Sequence, residues 1–211
     1  MNEYNKDDYY TLQVGKAGEE RLSLLNKIYN STSQEFLIKA GAPGKKMILD
    51  VACGTGEMTC WLAQHTLGTV LGIDLSEEQL AIAQNNAKIQ GVENVRFLKL
   101  SVFDLDAIAE AFDFIYCRFL LVHIQNPELA LLEMHKKLSQ GGIIACEEAT
   151  VSASFCYPRS DAFDKWLELW AALRKTNNTE LNLGLKLPHM FEKAFFTDVQ
   201  AQLVQPVLKT I

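Results

Sequence analysis

Apolar residues recur at helical spacing between Leu22 and Ala40. Leu22, Leu25, Tyr29, Phe36, Leu37 and Ala40 share one broad face, which predicts a helix ended by Gly41-Ala-Pro-Gly44. Residues 1–15 are charged and rich in tyrosine, and read as loop or short helix. The period then changes. Met47–Ala52, Thr69–Ile73, Val95–Leu100, Phe112–Cys117 and Gly142–Ala149 are short apolar runs that predict five strands. Helix-length segments separate them. Ser76-Glu-Glu-Gln79 has the form of a capping box opening a helix that carries Leu80, Ala83 and Ala87 and stops at Gly91. Asn126-Pro127 opens another, and Gly141-Gly142 closes it.

Strands alternating with helices predict an α/β fold: a Rossmann-like, doubly wound and mostly parallel sheet with helices on both faces. Residues 1–44 form an N-terminal helical cap in this reading, and 45–211 a single domain. A helical insertion at about 158–176 follows the fifth strand as a second cap, with Phe163, Trp166, Leu167 and Trp170 at helical spacing. Trp166 and Trp170 read as helix core, with a lid over a pocket as the other reading. Leu187–Ala194 predicts a further helix and Thr197–Leu208 a sixth strand.

Composition narrows the function classes. The 211 residues are 48% hydrophobic and carry a formal net charge of −6, which argues against a general nucleic-acid or anionic-membrane surface. No apolar run approaches the roughly 20 residues of a membrane span. The five cysteines, Cys53, Cys60, Cys117, Cys146 and Cys156, show no paired zinc spacing, so we expect reduced thiols, a cytoplasmic location and no metal. The polar, acidic amino end is unlike a signal peptide.

The chemistry points to Leu49-Asp-Val-Ala-Cys-Gly54-Thr-Gly56-Glu, directly after the first strand. Gly54 and Gly56 allow positive φ and close approach of the backbone to a ligand at the strand's carboxyl end. A dinucleotide fingerprint would need a third glycine at position 59, where the chain has Thr59. Asp74 closes the second strand, 18 residues beyond Gly56, where a carboxylate can accept both hydroxyls of a ribose; the plainer reading is a carboxylate beside the Ser76 helix cap. Asp50, at a strand end, is costly to bury unless paired. The ammonium of a bound amino acid is one partner, and hydrogen bonding within the loop the alternative.

Asp50-Val-Ala-Cys-Gly-Thr-Gly56, Asp74 and Phe112-Asp-Phe-Ile-Tyr-Cys-Arg-Phe-Leu-Leu-Val-His123 resemble class I S-adenosylmethionine-dependent methyltransferases, over roughly residues 45–150. More narrowly, Tyr10, Gly15, Ala17-Gly18, Arg21-Leu22 and Phe155-Cys-Tyr-Pro158 resemble a bacterial subgroup grouped with quinone and small-molecule methyltransferases. The resemblance implies that S-adenosylmethionine is the cofactor, S-adenosylhomocysteine its product, and a small molecule the acceptor. It implies that Gly54 and Gly56 line the methionine and ribose, Asp74 binds the ribose, Leu75 packs on adenine, and Ser101 and Val102 meet the adenine edge. Tyr10, Arg21, Asp50, Ala52, Gln79, Phe103 and Arg118 complete the expected cofactor-binding set. Many relatives have Gly-Asp where this chain has Leu100-Ser101, so the usual carboxylate to the adenine amino group is missing. Cys53 reads as loop packing. The family's sheet has seven strands, whereas this chain stops soon after a sixth. We therefore expect a six-stranded sheet with an open slot, a partner chain filling it as in a homodimer, or a truncated chain.

Methyl transfer from a sulfonium is an in-line displacement in which the protein supplies position and electrostatics, and a general base adds roughly 10²–10⁴-fold where the acceptor must lose a proton. His123 and Arg118, just past the fourth strand, are the candidate catalytic residues. The alternatives are a histidine bonded to a backbone carbonyl and an arginine paired with Glu147 or Glu148. Glu147 and Glu148 face either the pocket or solvent, and Asp104 and Asp106 start the next segment. The strand-four signature of nucleic-acid amino methyltransferases is absent, so no nucleic acid is expected. The acceptor pocket is expected among Tyr10, Arg21, Arg118, Phe119, His123 and Phe155–Pro158. Two other functions fit less well: a nucleotide-dependent oxidoreductase, which Thr59 disfavours, and a non-catalytic S-adenosylmethionine-binding protein.

Overall fold

The computed structural model describes residues 15–180 and 182–207. Helix α1 (Gly15–Lys39) ends where Gly41 turns left-handed at φ 82°. Strand β1 (Met47–Val51), helix α2 (Glu57–His65), strand β2 (Thr69–Asp74), helix α3 (Glu77–Ile89) and strand β3 (Val95–Lys99) follow. Then come β4 (Phe112–Arg118), a 3-10 turn at Leu121–His123, α4 (Pro127–Lys137), β5 (Leu138–Glu147), α5 (Asp161–Thr176) and α6 (Leu183–Lys193). The sheet order is β3-β2-β1-β4-β5 and every pairing is parallel. The chain winds outward from β1 in both directions, so the carboxyl ends of β1 and β4 meet at the point where the winding reverses.

Both faces of the sheet are covered. Leu49, Val51, Ile115 and Cys117 point into one core with Leu131, Met134 and Met190, while Ile48, Phe114 and Tyr116 point into the other with Leu37 and Leu62. That alternation explains why β1 and β4 read as continuous apolar runs. Asp113 holds β1 in place at its start, since its two carboxylate oxygens accept the Lys46 and Met47 amides at 2.9 Å each.

Three expectations are corrected. The sixth strand at Thr197–Leu208 does not form over residues 197–207: left-handed Phe195 (φ 69°) and Asp198 (φ 55°) break the extended path, and Leu203 and Val207 stay exposed. The sheet has five strands, and among the described residues nothing pairs with the outer edge of β5. Trp166 is not helix core. It is 49% exposed, and Arg174 is the one fully buried residue of α5. Third, α6 starts at Leu183, ahead of the expected Leu187, because Gly184 donates to the Ala149 carbonyl and lies where a Cβ would strike Thr150 and Glu148. Pro188 then falls inside the helix instead of opening it.

Candidate cofactor and acceptor site

The loop after β1 is shaped by three left-handed residues at alternate positions, Ala52 (φ 60°), Gly54 (φ 54°) and Gly56 (φ 74°). At Gly56 the need for glycine is double, since a Cβ would come within 2.7 Å of the Ala83 Cβ. Ala52 adopts the same region with a side chain, a strain that marks functional loops. Gly56 then caps α2.

Two carboxylates flank this loop. Asp74 accepts the Gly54 amide on one oxygen and the Ser76 amide on the other, both at 2.9 Å. Burial raises its pKa against the pull of those amides. A carboxylate has about four lone-pair directions, so two bonds leave room for a diol. Because Asp74 takes the Ser76 amide, the capping box is only half formed: the Ser76 hydroxyl accepts the Gln79 amide at 3.3 Å, and the Gln79 side chain is buried with its carbonyl oxygen unsatisfied. Leu75, between Asp74 and Ser76, is 54% exposed. Ser101 accepts the Phe103 amide, and Val102 is buried behind it.

Asp50 is 3% exposed and accepts the Thr59 hydroxyl at 2.6 Å. Desolvation pushes its pKa up to about 7, with the Thr59 bond and the Arg118 charge opposing. Thr59, read in the sequence only as a missing glycine, is therefore the partner of the buried acid. Cys53 is also held as a thiol by burial and by the neighbouring Asp50 and Asp74.

Arg118 turns toward α1. Its guanidinium donates to Asn26 Oδ1 (2.7 Å), Asn30 Oδ1 (3.0 Å) and Ser33 Oγ (3.0 Å). Ser33 passes the connection to Glu147 Oε2 at 2.9 Å, and the Tyr116 hydroxyl donates to Glu147 Oε1 at 2.5 Å. The alternative reading of Arg118, a direct pairing with Glu147 or Glu148, gives way among the described residues to a serine-bridged network. Asn26, Asn30 and Ser33 lie at helical spacing on one stripe of α1, so the network clamps that helix across the ends of β4 and β5. Leu22, farther along α1, reaches Gly54: a Cβ there would lie 3.1 Å from its Cδ1. Phe119 (φ 54°) continues the pairing with β5 and meets Tyr29 edge-on at 5.2 Å.

His123 sits half-buried in the 3-10 turn after β4. Its Nδ1 lies 3.1 Å from Arg174 of α5, whose guanidinium also donates to the Val122 carbonyl at 2.8 Å and stacks over Trp170. Burial, with Arg174 and Arg21 adding positive charge, lowers the His123 pKa to about 3. Glu148 holds the same turn from below by accepting the Leu121 amide at 2.6 Å and the Val122 amide at 3.3 Å. Its burial raises its own pKa to about 8.

The structure brings the expected residues into three groups: Asp50, Ala52, Gly54, Gly56, Asp74, Leu75 and Gln79 around the loop; Arg118 and Phe119 under α1; and His123 with Arg21 and Arg174. Phe155 and Tyr157 stand out in solvent at 74% and 93% exposure. Tyr10 lies outside the described residues. No helix among the described residues is long and apolar enough to cross a membrane.

Comparison with known proteins agrees with this geometry. Residues 49–146 match the family model for a methyltransferase domain. The chain is 33% identical over 114 residues to a demethylmenaquinone methyltransferase of Geobacillus stearothermophilus, covering 53% of this chain and 48% of that one. It is 31% identical over 141 residues to an uncharacterized methyltransferase of Schizosaccharomyces pombe, covering 63% and 51%. These matches span about half of each relative. In fold it is similar to the YcgJ protein of Bacillus subtilis, with a TM-score of 0.62 and 22% identity over 79% of this chain and 68% of that one. Over residues 49–146 this chain is thus similar to the methyltransferase-domain family, and its sheet to that of a solved protein with the same fold.

Proposed function

We propose that this chain transfers a methyl group from S-adenosylmethionine to a small-molecule acceptor. The observation that carries the reading is the left-handed Gly54–Gly56 loop set between two carboxylates, buried Asp50 and half-buried Asp74, within the span of the family match. The residues suit the cofactor. Asp74 has lone pairs to spare beside an exposed Leu75, fitting a ribose and an adenine face. Asp50, desolvated and held by one hydroxyl, suits an ammonium that would complete its charge balance. Gln79, Ser101, Val102 and Phe103 stand beyond the ends of β2 and β3, on the adenine side. Neither the oxidoreductase nor the purely binding alternative is favoured by the family match.

When bound, the cofactor supplies an electrophilic methyl carbon on a sulfonium. The chain's part is to bind, orient and exclude water: Asp50 and Asp74 fix the two ends of the cofactor, and α1, clamped by Arg118, covers the ends of β4 and β5. The acceptor side is the space beyond β4, with Arg21, Phe119 and His123. The named relative that acts on demethylmenaquinone supports an aromatic, quinol-like acceptor. We further infer a cytoplasmic protein that acts without nucleic acid.

Calorimetry with S-adenosylhomocysteine tests the reading, and we expect Asp74→Ala to weaken binding roughly tenfold to a hundredfold by leaving the ribose hydroxyls unpaired. Wild-type affinity in that variant would remove Asp74 from the site. Absence of both binding and labelled methyl transfer to a panel of quinols, phenols and amines would overturn the function.

A further inference from the structure

Two sulfurs that neither the cofactor nor the acceptor reading uses face each other between β4 and β5. Cys117 and Cys146 are partners in the parallel register, so their side chains leave the same face of the sheet. Their Sγ atoms lie 3.1 Å apart, and both are free thiols. Cys117 is fully buried in the core that holds Leu121, Leu131 and Met134, and Cys146 packs half-buried against that core. Arg118, one residue further on, turns to the opposite face, where it clamps α1.

The spacing suits a covalent bridge. A disulfide spans Cα atoms about 4.4–6.8 Å apart, and neighbouring strands run about 4.8 Å apart, so the backbone is already within reach. Bringing the sulfurs from 3.1 Å to a bonding distance of roughly 2 Å takes about 1 Å of side-chain movement. The two thiols differ in reactivity and access. The hydrogen bond that Cys117 donates to Cys146 Sγ, together with burial, holds the Cys117 thiol well above the ordinary thiol range, so Cys117 does not open the reaction. Cys146 is the more accessible of the two, on the last strand in the sheet order.

We propose that Cys117 and Cys146 are a modification site, a paired dithiol that hydrogen peroxide converts to an intrachain disulfide across β4 and β5. The Cys146 sulfur attacks one peroxide oxygen. A sulfur–oxygen bond forms as the oxygen–oxygen bond breaks, and the departing oxygen leaves as water with the Cys146 proton. The Cys117 sulfur then attacks the Cys146 sulfur. The disulfide forms as the sulfur–oxygen bond breaks, and the hydroxyl leaves as a second water with the Cys117 proton. Two electrons pass from the thiols to the peroxide, and a thiol reductant returns them. The bridge ties off the segment that carries the Leu121–His123 turn and α4. It lies on the face away from the Arg118 network, and it stands independently of the methyltransferase reading.

The test is peptide mapping of the full chain treated with hydrogen peroxide in its folded state, in a Cys156→Ser background that removes an exposed thiol. We expect this parent to lose two thiols and the mass of two hydrogens, its non-reduced peptides to join Cys117 to Cys146, and dithiothreitol to restore both thiols. In Cys117→Ala the Cys146 sulfenic acid has no neighbour to close on, so dimedone should trap at least about tenfold more of it than in the parent. In Cys146→Ala, Cys117 should stay a thiol. Three results overturn the proposal: linkage of Cys146 to a different cysteine, oxidation of Cys146 to the sulfinic acid beside an intact Cys117, or both thiols surviving a peroxide dose that fully oxidises Cys156 in the unaltered chain. The parent's peptide map alone decides the matter if the alanine variants fail to fold.

Discussion

Asp50→Asn should make the protein more stable at neutral pH while weakening its hold on the cofactor. The sign follows from burial. Asp50 has an unfolded pKa near 3.8 and a folded value pushed up to about 7, so between those values the folded chain holds a proton that the unfolded chain has released. The residue's contribution to stability is therefore full below pH 4, falls as pH rises to about 7, and is flat beyond. A shift of about three units at about 1.4 kcal/mol each sets an upper bound of roughly 4 kcal/mol, and relaxation of the loop brings the realised loss to about 2–4 kcal/mol. Asparagine has the same shape and still accepts the Thr59 hydroxyl, but carries no charge to desolvate. Urea unfolding of both proteins at pH 4.5 and pH 8 measures the effect as a double difference, which cancels the other titrating groups. We expect Asp50→Asn to gain about 2–4 kcal/mol on wild type between the two conditions. An equal offset at both pH values would refute the desolvation argument. If the cofactor's ammonium pairs with ionised Asp50, binding at pH 7 also releases a fraction of a proton. Calorimetry in buffers of different ionisation enthalpy should see that release in wild type and lose it in the variant.

Arg118→Met removes three hydrogen bonds from Asn26, Asn30 and Ser33, and should cost about 2–4 kcal/mol in chemical unfolding and expose α1 to limited trypsin cleavage. Gly56→Ala forces a Cβ against Ala83 at a positive φ and should cost about 1–3 kcal/mol by thermal unfolding. Trp166→Ala, on the exposed side of α5, should change stability by less than about 1 kcal/mol, whereas Phe114→Ala in the centre of the sheet should cost about 3–5 kcal/mol in the same assay.

The elements between Met47 and Glu147 were legible in the sequence because hydrophobic period, glycine stops and helix caps agree there. Four of the five strands begin and end within a residue of their expected places. The exception is β5, which starts early because Leu138 pairs with Phe112 before a bulge at left-handed Gly141. The sixth strand was misread for a physical reason: alternation shows that a segment could lie on a sheet, not that an edge is there to receive it. Trp166 of α5 was misread similarly, since helical spacing defines a face without saying what covers it. At the site, Asp50, Gly54, Gly56 and Asp74 announced themselves through local order along the chain. Arg174 and the Asn26–Asn30–Ser33 stripe act across distance, on partners up to 92 residues away, and Thr59 was seen only as the absence of a glycine. The stripe did leave a trace, three small polar residues at helical spacing on an otherwise apolar helix face.

The parallel sheet order also governs how the chain reaches its native state. β1 lies at the centre, yet its neighbours arrive late: Met47 pairs with Thr69, and Ile48 with Phe114, across a much longer intervening stretch. Each pairing closes a large loop before any of its ladder bonds forms, which slows assembly relative to folds built from hairpins. Until β4 is in place, the Met-Ile-Leu-Asp-Val strand keeps one edge bare during synthesis. Such an apolar edge is a site for association between nascent chains. Slow production at low temperature, which gives β4 time to arrive before another chain does, is thus the condition under which this molecule is best recovered in soluble form.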